Sequence, residues 1–333
     1  MLELVSRGAP DRFGFLLIPN FSLIAFTAAV ESLRLANRVA GETLYTWQLF
    51  SADGSAVESS SGIQIQVDGA IRNDTDVQTV FVCGGVDVHH FADGGEVSWL
   101  RRLARRGVAI GALCTGTHTL ARAGLLDGYR CTIHWENLVG FVEEFPEIEI
   151  SAQVFEIDRN RYTCAGGTAA IDMMLELMAG RHGAELAADV AEQIIHERIR
   201  DPSDHQRLSL PGRLGVRHPK LLGIIESMEQ HLEEPLDRTE LARRAGLSTR
   251  QLERLFRKYL NRSPARYYLE MRLHRARLLL LQTNMSVMNV ALACGFVSAS
   301  HFTKCYRAFF GRTPYRERGT PRTMAEADSA VSG

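Results

Sequence analysis

Through the first 200 residues, short and nearly unbroken apolar runs alternate with segments of helical period. Phe13-Gly14-Phe15-Leu16-Leu17-Ile18 stops at Pro19-Asn20 and reads as a buried strand, and residues 23–40 follow with helical spacing. Further strands are predicted at 45–51, at 63–67 with period two, at 77–83 ending in Gly84-Gly85, and at 108–113, with a helix over 97–106. Residues 154–158 and 161–165 flank a turn at Arg159-Asn160 and read as a hairpin. Gly166-Gly167-Thr168 then opens a helix over 171–180, and another covers 186–199, either as a dimer contact or as the last covering helix. Apolar strands alternating with helices predict an α/β three-layer sandwich, a mainly parallel sheet covered on both faces. Ligands of such sheets sit beyond the carboxyl ends of the strands, where Pro19-Asn20, Gly84-Gly85 and Cys114 would gather.

From residue 239 to 314 the pattern changes and then repeats. Leu241-Ala242, Ala245-Gly246-Leu247-Ser248, Leu252, Leu255-Phe256-Arg257 and Ser263-Pro264 return as Val290-Ala291, Cys294-Gly295-Phe296, Phe302, Cys305-Tyr306-Arg307 and Thr313-Pro314. The offset is 49 residues up to the glycine and 50 beyond it, so one residue is inserted beside Val297. Each copy reads as a short helix that ends at Gly, turns and restarts, the pattern of a helix-turn-helix. In the first copy Ser248 caps a helix over 249–260, with Leu252, Leu255, Phe256 and Tyr259 facing the core. Arg250, Gln251, Glu253, Arg254 and Arg257 then face outward. Arg bonds guanine bidentately, Gln pairs with adenine and Glu accepts from cytosine. Arg250 and Arg254 are the expected base readers, with Glu253 as a companion reader or an orienter of Arg. In the second copy Ser298 caps 299–310; Phe302, Tyr306 and Phe309 face inward, and Ala299, Ser300, His301 and Lys304 outward. Lys304 is expected on phosphate or base, and Ser300 and His301 at base edges. Between the copies a helix over 265–282 would hold the two reading helices about 34 Å apart, one DNA turn. Its Arg272 and Arg275 are as readily assigned to salt bridges within the module.

Composition adds a division of labour. The 333 residues are 45% hydrophobic and 23% charged, which suits a soluble chain of two globular domains. The net charge of −1 conceals an asymmetry: residues 216–323 carry 20 basic and 9 acidic side chains, a net of about +11, and the rest of the chain about −12. The basic part suits a polyanion such as double-stranded DNA. Six cysteines without a CxxC pair read as buried free thiols in a reducing compartment, with neither zinc nor a cofactor implied. No leader segment and no apolar run near the ~18 residues of a membrane span are expected, which predicts a cytoplasmic protein. The expected divisions are a tail at 1–12, an α/β domain at 13–200, a Pro/Gly-rich linker at 201–219, a helical domain at 220–318 and a disordered tail at 319–333.

The pointed feature of the first domain is Ala112-Leu113-Cys114-Thr115-Gly116, a cysteine between small residues at a strand-to-helix turn, as in a nucleophile elbow. The following helix is expected to direct its N–H groups at the thiol and favour thiolate. Thr132-Ile133-His134-Trp135 supplies a histidine to face it. Three roles are open for Cys114: a nucleophile with His134 as base, a small buried filler, or part of a retired active site that holds an effector.

With Gly124-Leu125-Leu126-Asp127-Gly128, this region resembles the PfpI-like branch of the class I glutamine-amidotransferase-like superfamily, which implies a flavodoxin-like fold over residues 13–180. Thr115 stands where PfpI-like hydrolases have histidine, and Ala25 where enzymatic relatives have an acid; Glu31, on the next helix, is the nearest carboxylate. The duplicated module, with Asn261-Arg262-Ser263-Pro264 and Gly311-Arg312-Thr313-Pro314 closing its copies, resembles the DNA-binding domain of the AraC/XylS family. A PfpI-like domain before it matches the GlxA-type subgroup, and the sequence is similar to that subgroup's glycine-betaine-responsive activators. The resemblance implies a transcriptional regulator, an activator of catabolic genes, with no enzymatic activity. It also implies a small amine or amino-acid effector (glycine betaine, dimethylglycine, carnitine or arginine), dimerisation through the first domain, and contact with RNA polymerase. Phe21, Glu31, Gly84, Gly85, Cys114, Thr115, His134 and Trp135 are the expected effector contacts, with Phe21, Trp47 or Trp135 as an aromatic wall for a quaternary ammonium. The alternative is a cysteine amidase or hydrolase using Cys114 and His134, fused to a DNA-binding module.

Overall fold

The computed structural model describes residues 9–88 and 95–318, and the chain divides into two compact units, one ending at Gln206 and the other starting at Arg207. The tails expected at 1–12 and 319–333 lie wholly or mostly outside the described residues.

The first unit runs β1 (Asp11–Leu17), α1 (Leu23–Ala40), β2 (Tyr45–Ser51), β3 (Val57–Glu58), β4 (Gln64–Ile65), β5 (Gly69–Ala70), β6 (Thr79–Cys83), α2 (Gly95–Arg105), β7 (Ala109–Leu113), α3 (Gly116–Arg122), β8 (Arg130–Thr132), α4 (Leu138–Glu144), β9 (Glu149–Ser151), β10 (Phe155–Asp158), β11 (Arg161–Cys164), α5 (Ala169–His182) and α6 (Ala184–Ile194). Seven strands form one sheet in the order β10-β11-β7-β6-β1-β2-β5, parallel except for the β10–β11 hairpin. The alternation of side chains along β1 explains the layers. Phe13, Phe15 and Leu17 enter one core with α1, α5 and α6, while Leu16 and Ile18 enter the other with Trp99, Leu120 and Phe141 from α2, α3 and α4.

Two expectations give way here. The period-two stretch at 63–67 pairs only over Gln64–Ile65, with β3, in a separate two-stranded piece. Ile65 and Val67 do turn toward the core, but the partner strand offers only Val57–Glu58, so the pairing stops after two residues. The helix expected over 186–199 stops at Ile194, because Ile195 takes a left-handed conformation (φ 60°) and turns the chain back.

The second unit is helical: α7 (Leu210–Leu214), α8 (Pro219–Gln230), α9 (Arg238–Arg244), α10 (Thr249–Leu260), α11 (Pro264–Gln282), α12 (Val287–Ala293), α13 (Ala299–Phe310) and α14 (Pro314–Arg318). The stretch 201–219 is therefore no simple linker. Residues 201–206 belong to the first unit, while Leu210 and Val216 are buried beside Leu221 and Ile225 in the core of the second. Hydrogen bonds of Ser and Asp side chains to backbone N–H groups start α9 to α13: Asp237 accepts from Glu240, Ser248 from Gln251, Ser263 from Arg266, Ser286 from Asn289 and Ser298 from His301.

Candidate effector crevice and nucleic-acid interface

The carboxyl ends of β1, β6 and β7 meet as expected. Ser22 N–H donates to Gly84 O, Val86 N–H to Asn20 O, and Gly84 N–H to Leu113 O, at 3.0–3.2 Å. Thr115 Oγ1 donates to Gly85 O at 2.6 Å. The glycines are required by close backbone approach: a Cβ on Gly84 would stand 2.7 Å from Thr115 Oγ1, and one on Gly85 2.7 Å from the Phe21 carbonyl carbon. Cys114 has the elbow's positive φ of 59° and packs against the Gly166-Gly167 loop. From the other side Thr117 Oγ1 donates to Thr132 O at 2.8 Å, which brings the segment carrying His134 and Trp135 alongside α3. Those two side chains are half-buried, with ring centroids 5.5 Å apart.

The electrostatics run against a nucleophile. Burial, with a smaller contribution from Cys164, pushes the Cys114 thiol up to about 12, and the hydrogen bond from the Thr115 backbone only partly opposes it. The expectation of a helix-stabilised thiolate is thus overturned: α3 has seven residues, and desolvation outweighs the field at its start. Burial also lowers the His134 pKa, so both groups are neutral at physiological pH. No hydrogen bond links them among the described residues, so a thiol–imidazole relay is not formed.

Other expected contacts are placed elsewhere. The Phe21 ring is fully buried edge-on to Phe26, and Phe21 offers the crevice only its backbone. Trp47 sits in mid-β2 opposite Phe13, away from the strand ends. Glu31 is exposed on α1 and ion-paired with Arg34. Of the three aromatic candidates, Trp135 is the one carried by the segment that runs alongside α3.

A feature missed in sequence ties this crevice to the end of the unit. Asp172, fully buried in the first turn of α5, accepts from the Arg200 backbone N–H (2.7 Å), from Arg200 Nε and Nη2 (2.9 and 2.7 Å), and shares a hydrogen bond with His196 Nε2 (2.8 Å). Arg200 Nη2 also reaches Thr168 Oγ1, next to the loop that packs on Cys114. Six residues later Gln206 Nε2 donates to Thr132 Oγ1, Ile133 O and Gln153 O at 2.8–3.0 Å. The last residues before the helical unit are thereby latched to both walls of the crevice. A carboxylate buried among apolar residues at the start of α5 was the available sequence signal.

In the second unit the two reading helices are each 12 residues long. Leu252, Phe256, Phe302 and Tyr306 are fully buried, as the periodicity requires. Tyr259 is instead 36% exposed, with its ring 5.3 Å from His218 and Lys258 over its face, and Phe309 is half-buried against His274. Arg250, Arg254 and Arg257 are exposed and have no protein partner among the described residues. Gln251 and Glu253 are committed more locally than expected. Gln251 Oε1 accepts from Ser248 N–H in a capping box, which occupies one of the two lone pairs of that oxygen and fixes the side chain against the helix start. Glu253 faces Arg238 at 3.6 Å, so it orients an arginine of the preceding helix. In α13, Ser300 and Lys304 are exposed and without a side-chain partner among the described residues, Ala299 is half-buried, and His301 contacts Cys305 Sγ at 3.5 Å. Ala299, Ser300, Lys304 and Arg307 line one open groove with Thr303 and Thr313. Arg272 makes no salt bridge among the described residues; its Nε and Nη2 donate to Cys294 O and Gly295 O, both at 2.7 Å, and hold the second turn.

Comparison with known proteins agrees with both halves. The DJ-1/PfpI family matches residues 12–180, and a helix-turn-helix domain family matches residues 241–319. The regulator GbdR of Pseudomonas aeruginosa is 52% identical over 93% of this chain and 84% of its own length. GlxA of Rhizobium meliloti is 40% identical over 91% and 94%, respectively. A solved AraC family transcriptional regulator from Pseudomonas putida covers 56% of this chain and all of its own, with 31% identity and a TM-score of 0.51. A DJ-1/PfpI-type α/β unit followed by two helix-turn-helix copies defines a class of DNA-binding regulator. The chain belongs to the AraC family of helix-turn-helix transcriptional regulators, in the GlxA-type group that includes GbdR.

Proposed function

We propose that this protein activates transcription of catabolic genes from specific promoter sites, in response to a small amine or amino-acid metabolite held at the Cys114 crevice. The observation that carries the DNA-binding part is the pair of Ser-capped helices presenting unpartnered cationic side chains. Arg250 and Arg254 read bases, Arg257 and Lys304 hold phosphate, and Ser300 contributes at base edges. The effector site is the convergence of Gly84-Gly85, Cys114-Thr115 and His134-Trp135, with a neutral thiol and imidazole that suit binding rather than turnover. Trp135 supplies an aromatic face for a cationic ligand. The Asp172–Arg200 and Gln206 latch is the route by which occupancy reaches the second unit, since it ends at the residue before that unit begins. The protein acts in the cytoplasm as a homodimer through its first domain and contacts RNA polymerase.

A thermal-shift screen of the full chain over nitrogenous metabolites tests the effector, because bound ligand stabilises by mass action. A shift that Trp135→Ala abolishes supports the site; a shift unchanged by that substitution places the ligand elsewhere. Cys114→Ser is expected to leave effector-dependent transcription intact, and loss of a measurable hydrolytic turnover in that variant would favour the enzyme reading instead.

A further inference from the structure

The inserted residue of the second copy has a definite place. In the first copy the Leu247 N–H returns to Ala242 O at 2.9 Å, and in the second the Phe296 N–H returns to Ala291 O at the same distance. Leu247 and Phe296 are therefore equivalent, each following a left-handed glycine, Gly246 or Gly295. Ser248 follows Leu247 directly and caps α10, whereas Ser298 follows one residue later and caps α13. The additional residue is Val297.

Val297 is 92% exposed, the most exposed of the large apolar side chains among the described residues. Its exposure does not come from a loose turn. Arg272 holds the Cys294 and Gly295 carbonyls and lies over the Phe296 ring at 4.2 Å, and Phe296 itself is buried. The turn thus presents an isopropyl group at the N-terminal end of the second reading helix, one residue before its cap and beside Ala299 and Ser300. Lys304 and Arg307 line the groove of α13 nearby, available for phosphates on the DNA that enters it. In a major groove the one apolar group on a base edge is the thymine C5 methyl.

We propose that Val297 determines specificity in the second half of the site by packing against a thymine methyl. The proposal rests on the DNA-binding reading above. Apolar contact would replace the charged readers of the first copy, which explains how a face with so few charges selects a sequence.

The test uses the full chain and the tightest duplex it selects from a random library. Each thymine is replaced in turn by deoxyuridine, which removes the methyl and leaves the Watson–Crick edge intact. At one thymine of the second half-site the wild type is expected to lose about four-fold in affinity, the effect of burying one methyl group. Val297→Ser should lose a similar factor on the thymine duplex and become indifferent to the replacement, while melting at the wild-type temperature. Val297→Thr, which keeps one methyl, should retain part of the discrimination. The proposal is overturned if no uracil replacement weakens the wild type, or if Val297→Ser weakens the thymine and uracil duplexes equally. Failure to select any duplex would instead overturn the DNA-binding reading.

Discussion

The two helix-turn-helix copies share helix lengths, serine caps on their reading helices and the same buried positions, yet they are supported and armed differently. The leading helix of the first copy, α9, is charged, and Glu240 bridges Arg243 and Arg244 on its surface. Its counterpart α12 carries no charge and leaves Met288 and Leu292 about half exposed. The first reading helix projects three arginines without a partner among the described residues, the second a serine, a lysine, Arg307 and a small apolar surface. Support differs in kind. The second copy is braced by Arg272 on its turn and by a buried Arg277–Glu317 pair at 2.8 Å, with Arg312 at 3.2 Å from the same carboxylate. Duplication thus conserved the frame, while exposed arginines are more numerous on the first reading helix and the pair buried on both sides, Arg277–Glu317, lies at the second copy.

The largest expected effect concerns that bracing. Glu317→Ala leaves the buried Arg277 guanidinium without its carboxylate, and loss of one partner of a buried pair costs about 3–5 kcal/mol. Urea unfolding of the full chain checks it; a loss below about 1 kcal/mol, the value of a surface pair, would mean that the second copy is not braced in this way.

The turn glycines give a sharper contrast. Both are left-handed, at φ 61° and 73°, so alanine at either position costs about 1–2 kcal/mol in backbone strain. At Gly246 the added Cβ meets only Lys220 Nζ at 3.9 Å, but at Gly295 it meets the Pro235 ring at 2.6 Å and Leu232 O at 2.7 Å. Gly295→Ala should therefore cost a further 1–3 kcal/mol or so through overpacking. Equal losses for the two variants, measured by denaturant midpoint, would remove the distinction.

On DNA the ranking reverses. Arg254→Ala is expected to cost about 1–3 kcal/mol and to relax selectivity at one position of the first half-site. Lys304→Ala should weaken all sequences alike and lower the salt slope by about 1. Titration over a salt series with substituted duplexes separates the two outcomes.

The smallest effect is with pH. The hydrogen bonds from Arg243 and Arg244 hold Glu240 down to about 2, below its ordinary 4.5. A depressed carboxyl contributes stability that is fully present above its unfolded value and lost as pH falls toward the folded one. Acidification from pH 5 to pH 2 should therefore loosen α9 through this pair, an effect that Glu240→Gln removes. Hydrogen exchange at α9 and α12 compares the copies directly; protection at α9 lost equally in the Glu240→Gln variant would assign the change to other groups.

Much of this was legible in the sequence because it depends on local rules. Periodicity, serine caps and left-handed glycines lie within a few residues of what they determine, and α10 and α13 have their expected bounds. The convergence of Asn20, Gly84-Gly85 and Cys114 followed from the general geometry of parallel sheets. What escaped depends on contacts distant in sequence or on competition between partners. The Asp172–Arg200 clamp spans 28 residues, and it redirects a chain that periodicity alone continues as helix. Gln251 reads in sequence as a base reader alone, whereas its oxygen also closes the cap of its own helix. Cys114 had the right turn for a nucleophile, yet its ionisation is set by burial, which its neighbours in sequence do not reveal.

The central claim, that both copies read one DNA duplex and the first is the more heavily armed, is tested most directly by guanine-methylation interference on the selected duplex. Two interfering major-groove patches are expected on one face, about 34 Å or one helical turn apart, with Arg254→Ala erasing interference in one patch only. A single patch, or a pattern that Arg254→Ala leaves unchanged, would contradict it.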